Sequence, residues 1–225
     1  MKTKHWQTAI LLAVAFAADA AAAEYPARLI RFIVPYGGGS GPDITARLFA
    51  TELSKQIGQQ IVVDNRPGAS GSIGTEMIAR AAPDGYTIGF GGISTFAINP
   101  SVLARLPYDP DKDLLKVVQT YFNPGVTGLK RSPAIPELPA IAETVPGFEV
   151  IVWGGVVLPA GAPKAIVARL NAEINKVPAS PALKEKYATI GYELVGGTPG
   201  QFDAFVKSEI AKWAEVVRRS GAKLK

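Results

Sequence analysis

The 225-residue chain has no cysteine and a single histidine, His5. Without cysteine there is no disulfide, so the fold must rest on its apolar core alone. A cysteine nucleophile and a Cys or His zinc site are excluded by the same count. A Ser-His-Asp triad and a histidine general base go too, because His5 lies in an N-terminal segment read below as removed. Carboxylates and lysines remain for other chemistry, but no positive signal for an enzyme stands among them. The chain is read as non-enzymatic, with no metal and no cofactor expected. Charge is also sparse. There are 24 basic against 19 acidic residues, net +5, and the basic ones are spread out, with Lys184, Lys186, Arg218, Arg219, Lys223 and Lys225 falling toward the last helices. Nucleic-acid binding wants clustered cations interleaved with aromatics, so nucleic acid is not expected as a partner. A weak positive field does steer small anions toward a cleft.

Long hydrophobic runs are missing as well. The run from Ala9 to Ala18 is ten residues, half of the roughly 20 a membrane helix needs. Lys2 and Lys4 precede it, and the small residues Ala18-Asp19-Ala20 and Ala21-Ala22-Ala23 follow. That is the pattern of a secretory signal peptide over residues 1–23, cleaved after Ala20 or Ala23, and it predicts a periplasmic protein.

What is present is an alternation of apolar runs and helix-period segments. Residues 29–34 (Leu-Ile-Arg-Phe-Ile-Val) predict a first strand. Residues 43–57 predict a helix with Ile44, Leu48, Phe49, Leu53 and Ile57 on one face and Gly58 as its stop. Residues 60–64 read as a second strand. Ser72 is the expected N-cap of a short helix over residues 73–82, and residues 86–90 read as a third strand. Strand, helix, strand, helix, strand predicts a doubly wound parallel α/β sheet. The prolines between residues 99 and 146 predict loops and short pieces. Regular elements resume with a strand over 149–158, a helix opened by Pro163, another over 182–190, a short strand near 192–195, and a last helix over 201–219. Phe202, Phe205, Val206, Ile210, Trp213 and Val217 hold helical spacing there, which assigns them to the core.

One junction carries chemistry. The first strand opens into Tyr36-Gly37-Gly38-Gly39-Ser40-Gly41-Pro42-Asp43 and then into a helix. A glycine loop lets backbone N–H groups converge, and a helix start adds unpaired donors and partial positive charge. With the second, first and third strands adjacent in that order, ligands bind at the carboxyl ends where the winding reverses. The turn of residues 91–95 leaves the third strand there. The candidate ligand-binding residues are therefore Tyr36, Gly37, Gly38, Gly39, Ser40, Asp43, Ser94 and Thr95. Asp43 is read as holding the loop against the helix start, and the bland alternative is a plain βα turn with no ligand.

The same stretch imitates a dinucleotide fingerprint, with Asp64 at the end of the second strand in place of the ribose-binding acid. Pro42 and Asp43 stand where the third fingerprint glycine belongs, and Asp43 would set negative charge beside a pyrophosphate. An enzyme using the loop for a phosphorylated substrate or dinucleotide stays as an alternative.

The motifs Pro35-Tyr36-Gly37-Gly38-Gly39 with Asp43, Asp64-Asn65-Arg66-Pro67-Gly68-Ala69, Ser72-Ile73-Gly74-Thr75-Glu76 and Ala82-Pro83-Asp84-Gly85-Tyr86-Thr87 occur in this order. They are followed by Leu106-Pro107-Tyr108-Asp109-Pro110, Val145-Pro146-Gly147-Phe148-Glu149 and Pro159-Ala160-Gly161-Ala162-Pro163. In them the chain resembles the solute receptors of tripartite tricarboxylate transporters, the Bug receptors. The resemblance implies a type II periplasmic binding protein fold of two lobes, a small carboxylate or related anion as ligand, and membrane subunits of a transporter as partners. It fails over residues 115–129, where a second lobe on the order of a hundred residues would be expected. The expected division is a signal peptide at 1–23, the first segment of lobe one at 24–114, a short link in place of lobe two at 115–129, and a return into lobe one with the C-terminal helices at 130–225. Lobe one is then nearly complete and lobe two largely absent. The product is a receptor impaired by that loss or a deletion remnant that binds nothing tightly.

Overall fold

The computed structural model describes residues 25–222; the signal-peptide segment lies outside them. β1 (Ile30–Val34) leads through the glycine loop to α1 (Gly41–Ile57), β2 (Ile61–Asn65), α2 (Ser72–Ala79) and β3 (Thr87–Gly92). A π-helical turn (Ser94–Ile98) and the short α3 (Asn99–Val102) follow. Then come β4 (Leu114–Asn123), β5 (Val152–Pro159), α4 (Lys164–Ile174), α5 (Pro181–Thr189), β6 (Glu193–Leu194) and α6 (Pro199–Ser220). The six strands form one sheet in the order β2-β1-β3-β5-β4-β6. β1 pairs in parallel with both β2 and β3, as the alternating pattern predicted. β5 is antiparallel to β3 and to β4, and β6 is antiparallel to β4, so the second half of the sheet is mixed rather than parallel. The reason is local: β4 and β5 are sheet neighbours joined at one end, which reverses the chain.

The strand β4 corrects the largest misreading. Residues 115–129, expected as a link, are mostly a ten-residue strand inside the sheet. The prolines that suggested loops stop at Pro110 and resume at Pro124, and the apolar β-formers between them are free to pair. Two smaller corrections concern helix starts. Ile44 is exposed; α1 instead buries Asp43, Thr45, Ala46, Phe49, Ala50 and Leu53. Ser72 is the first residue of α2 rather than its cap, and its hydroxyl lies 3.3 Å from the Asn99 side-chain amide. Gly58 does end α1, in the left-handed region at φ 69°, with its N–H on the Ser54 carbonyl.

β3 also runs two residues past its expected end, and Gly91 and Gly92 pair with Gly155 and Gly154 of β5. Side chains are forbidden at this crossing. A Cβ on Gly154 would collide with the Phe90 ring, and one on Gly91 with Phe96. The two sheet faces carry separate cores. One gathers Phe32, Phe49, Leu53, Phe90, Tyr121 and Leu170 under α1, α4 and α5. The other gathers Ile33, Ile78, Phe96, Trp153, Val157 and Phe202 under α2 and α6. On α6, Phe202 and Val206 are buried while Phe205, Ile210 and Trp213 pack at the edge, as their spacing predicted. The buried carboxylate of Glu209 accepts the indole N–H of Trp153 at 2.9 Å and of Trp213 at 3.2 Å, so the helix is tied to β5 by hydrogen bonds as well as by area. Among the described residues no helix is long and apolar enough to cross a membrane.

Candidate anion site at the carboxyl ends of β1 and β3

The turns after β1 and β3 leave parallel neighbouring strands at the same end of the sheet. Tyr36 joins them. Its ring packs edge-on against Phe90 at 6.0 Å between centroids. Burial pushes its hydroxyl pKa up to about 12, against hydrogen bonds from the Thr95 and Ser94 side chains. The hydroxyl stands 3.4 Å from where a Cβ on Gly92 would lie, so the two turns meet there.

Beneath the glycine loop Asp43 acts as an internal post. Its carboxylate is almost fully buried and accepts the Gly39 N–H at 2.8 Å, the Asn65 amide at 2.9 Å and the Arg47 guanidinium at 2.9 Å. Burial raises the pKa of this carboxyl, but the hydrogen bonds from Arg47, Gly39 and Asn65 outweigh it and hold it below the ordinary carboxylate value. Asn65 also donates to the Tyr36 carbonyl at 3.0 Å and accepts from Arg47 at 2.7 Å. Gly39 sits at φ 78°, a conformation glycine adopts at little cost. One amide of the loop is thus spent on Asp43, and Ser40 turns inward, its N–H and hydroxyl both donating to the Gly37 carbonyl at 3.2 and 2.6 Å. The exposed amides of Gly37 and Gly38 have no protein acceptor among the described residues. Together with the start of α1 they are exposed donors without a protein acceptor, the kind of group that suits an anion.

The turn after β3 is closed by comparison. Thr95 is fully buried, and its hydroxyl lies 3.2 Å from both the N–H and the carbonyl of Gly92. Its own carbonyl accepts the Tyr108 hydroxyl at 2.6 Å. Ser94 is partly exposed beside Tyr36. Of the eight residues expected to touch ligand, Gly37 and Gly38 are exposed and Tyr36 and Ser94 half-buried, while Gly39, Ser40, Asp43 and Thr95 are engaged in the architecture of the turns.

A third loop, absent from the expected site residues, reaches the same place. In residues 68–71, Ala69 and Ser70 have φ of 47° and 55°, unusual for residues other than glycine. A Cβ on Gly71 would meet the Thr95 methyl at 2.8 Å and the Pro35 carbonyl at 3.2 Å. Asn99 holds this loop by donating to the Ser70 carbonyl at 2.9 Å. Tyr192 closes the other flank, its hydroxyl occupying the place that a Cβ on Gly41 would take. The signal for the third loop was there: Gly68, Gly71 and Gly74 in seven residues. For Tyr192, from the far end of the chain, there was none. Cavities of 610 and 580 Å³ lie elsewhere, one beside Tyr108 and Ile210, the other beside Lys116 and Lys164. Among the described residues no group of three or more His, Asp or Glu is placed to hold a metal ion.

A single α/β lobe whose β1 and β3 run parallel and open into turns at one end of the sheet is the architecture of a periplasmic solute-binding protein. The model of the tripartite tricarboxylate transporter family receptor, TctC, matches residues 45–126 and 122–222, and the chain belongs to that family. Among its relatives, the protein BugT of Bordetella pertussis is 28% identical over 307 aligned positions, covering 93% of this chain and 94% of BugT. The UPF0065 protein in the tcbD-tcbE intergenic region of Pseudomonas sp. (strain P51) is 28% identical over 291 positions, covering 86% of each. Both alignments run over more positions than the 225 residues of the chain, so each relative carries residues without a counterpart here. The two segments matched by the family meet at residues 122–126, at the carboxyl end of β4. Among solved structures, the periplasmic binding protein BugD superposes with a TM-score of 0.85 at 23% identity, over 89% of this chain and 100% of BugD. R. palustris Rpa4515, solved with adipate, superposes with 0.84 at 26% identity, over 89% of this chain and 100% of that one.

Proposed function

We propose that this receptor is exported to the periplasm by cleavage of residues 1–23 and takes a small carboxylate at the turns after β1 and β3, serving a tripartite transporter whose membrane subunits are its partners. The observation that carries the reading is the pair of unspent amides at Gly37 and Gly38, set at the start of α1 by the buried Asp43 post. Adipate in the related Rpa4515 supports a carboxylate as the ligand class. The break in the family match at residues 122–126 supports loss of a second lobe between β4 and β5. Residues 24–114 and 130–225 then form lobe one, with β4 between them as a strand of the same sheet. One wall instead of two leaves the ligand hydrated on its far side and weakens each charged hydrogen bond. Millimolar rather than micromolar affinity is expected.

Titration of the exported protein with adipate, succinate and citrate tests this, read as thermal stabilisation. At ligand concentrations a hundred times Kd the linkage is about 2.7 kcal/mol. A rise in Tm with any of these acids supports a working receptor. No rise at tens of millimolar means a remnant that folds without binding, and a rise with NAD alone would favour the dinucleotide alternative.

A further inference from the structure

The post that shapes the glycine loop is itself a charge. The Asp43 carboxylate lies 2.8 Å from the Gly39 N–H and is almost fully buried. An anion on the neighbouring amides of Gly37 and Gly38 would therefore face a negative group that little water screens. Left bare, that carboxylate opposes the very ligand proposed above. A compensating positive charge is needed close by.

Arg47, one turn further along α1, stands in that place. Its Nε lies 2.9 Å from the Asp43 carboxylate, and its Nη2 donates to the Asn65 side-chain carbonyl at 2.7 Å. That same Asn65 oxygen is 4.0 Å from where a Cβ on Gly38 would be. Taken end to end, the two spans hold the guanidinium within the roughly 8 Å over which physiological salt leaves charges coupled. Asp64, the residue before Asn65, is already covered by two guanidiniums, Arg31 at 2.5 Å and Arg66 at 2.9 Å. Arg47 has no such second carboxylate: among the described residues its acceptors are Asp43 and Asn65, and about half of its side chain is in water. Its charge is set against Asp43 alone.

We propose that Arg47 is the charge-compensating residue of the site: it cancels the field of the Asp43 post at the Gly37 and Gly38 amides, so that a loop mounted on a carboxylate admits anions. The inference rests on the carboxylate reading above and adds to it a positioning residue that acts through Asp43. A guanidinium that merely braced Asp43 and Asn65 would matter equally for every ligand. A counter-charge matters more as the ligand carries more charge. Lysine separates the two roles further, since it keeps the charge but lacks the planar fork that spans two acceptors.

The test is calorimetric titration with propionate, succinate and citrate, a series of rising negative charge, at neutral pH and low ionic strength. The exported protein is compared with Arg47→Gln and Arg47→Lys. Arg47→Gln weakens propionate about threefold and citrate about tenfold, and Arg47→Lys stays within about twofold of the wild type for all three. High salt narrows the difference between wild type and Arg47→Gln. The three acids are titrated into the same sample, so an unfolded fraction lowers the number of sites and leaves the ratios between ligands unchanged. An equal loss for all three acids, or a loss that Arg47→Lys does not recover, makes Arg47 a brace and overturns the compensation while leaving the carboxylate reading intact. Unchanged binding in Arg47→Gln overturns it as well. If no acid binds the wild type, the carboxylate reading falls and the compensation falls with it.

Discussion

The turn after β1 and the turn after β3 leave adjacent parallel strands at one end of one sheet, yet they spend their polar groups in opposite directions. In the first, a buried aspartate takes one loop amide, a serine folds onto its own loop, and the amides of Gly37 and Gly38 stay exposed. In the second, the Thr95 hydroxyl closes on Gly92, its carbonyl takes the Tyr108 hydroxyl, and Asn99 stitches the turn to residues 70 and 72. The first turn is an open donor set on a rigid post; the second is a rigid back wall. The difference teaches that a hydroxyl near a candidate anion site is free for a ligand only when the backbone around it has no use for it.

The sharpest way to break this contrast is Asp43→Ala. It removes an acceptor of charge-assisted hydrogen bonds, which contribute about 1.5–3 kcal/mol each before non-additivity. We expect about 3 kcal/mol lower stability in urea unfolding, with carboxylate binding lost in the same sample. Loss of binding at unchanged stability would mean that Asp43 meets the ligand rather than the loop.

Asp43 also predicts a pH dependence. Its folded pKa is depressed, so its stabilising contribution is complete above the unfolded carboxylate range and is lost as pH falls through the lower folded value. Acid titration of unfolding free energy below pH about 4 should therefore be steeper in the wild type than in Asp43→Asn. Equal slopes would show that the carboxylate is not held by its three donors.

The two turns are next compared directly. Thr95→Val leaves the buried Gly92 N–H without its side-chain acceptor, at a cost of about 1–2 kcal/mol; carboxylate affinity changes less than twofold, because the hydroxyl faces inward. The smallest effect is Ser94→Ala. Stability stays within about 0.5 kcal/mol, as for other partly exposed positions, and affinity falls a few-fold. If Thr95→Val weakens binding more than Ser94→Ala does, the second turn is no back wall.

Much of the first half of the fold was legible in the sequence. The runs at β1, β2 and β3 were separated by helix-period segments, and their β-branched density specified buried parallel strands in the order later seen. The glycine loop was legible for the same reason, since few arrangements other than a βα turn use four glycines in five residues before a helix. The strand β4 was not. Its flanking prolines and the missing resemblance both pointed to a link, and nothing local shows that residues 114–123 pair with β5 across a 28-residue connection. Ile44 was misassigned because a stripe of five apolar residues can be drawn through α1 in more than one phase, and the sheet chose the face holding Ala46, Phe49, Ala50 and Leu53.

By itself the amino-acid sequence determined which chemistry this protein lacks and that a strand, a glycine turn and a helix follow one another near its start. Both are consequences of residue type and short-range spacing. Tertiary structure alone decided which amides remain open. Whether a donor is spent depends on groups distant in the chain, such as Asn65 under Tyr36, Tyr108 on Thr95 and Tyr192 against Gly41. Hydrogen bonding saturates each donor locally, while the partner that saturates it is brought by folding from anywhere along the chain.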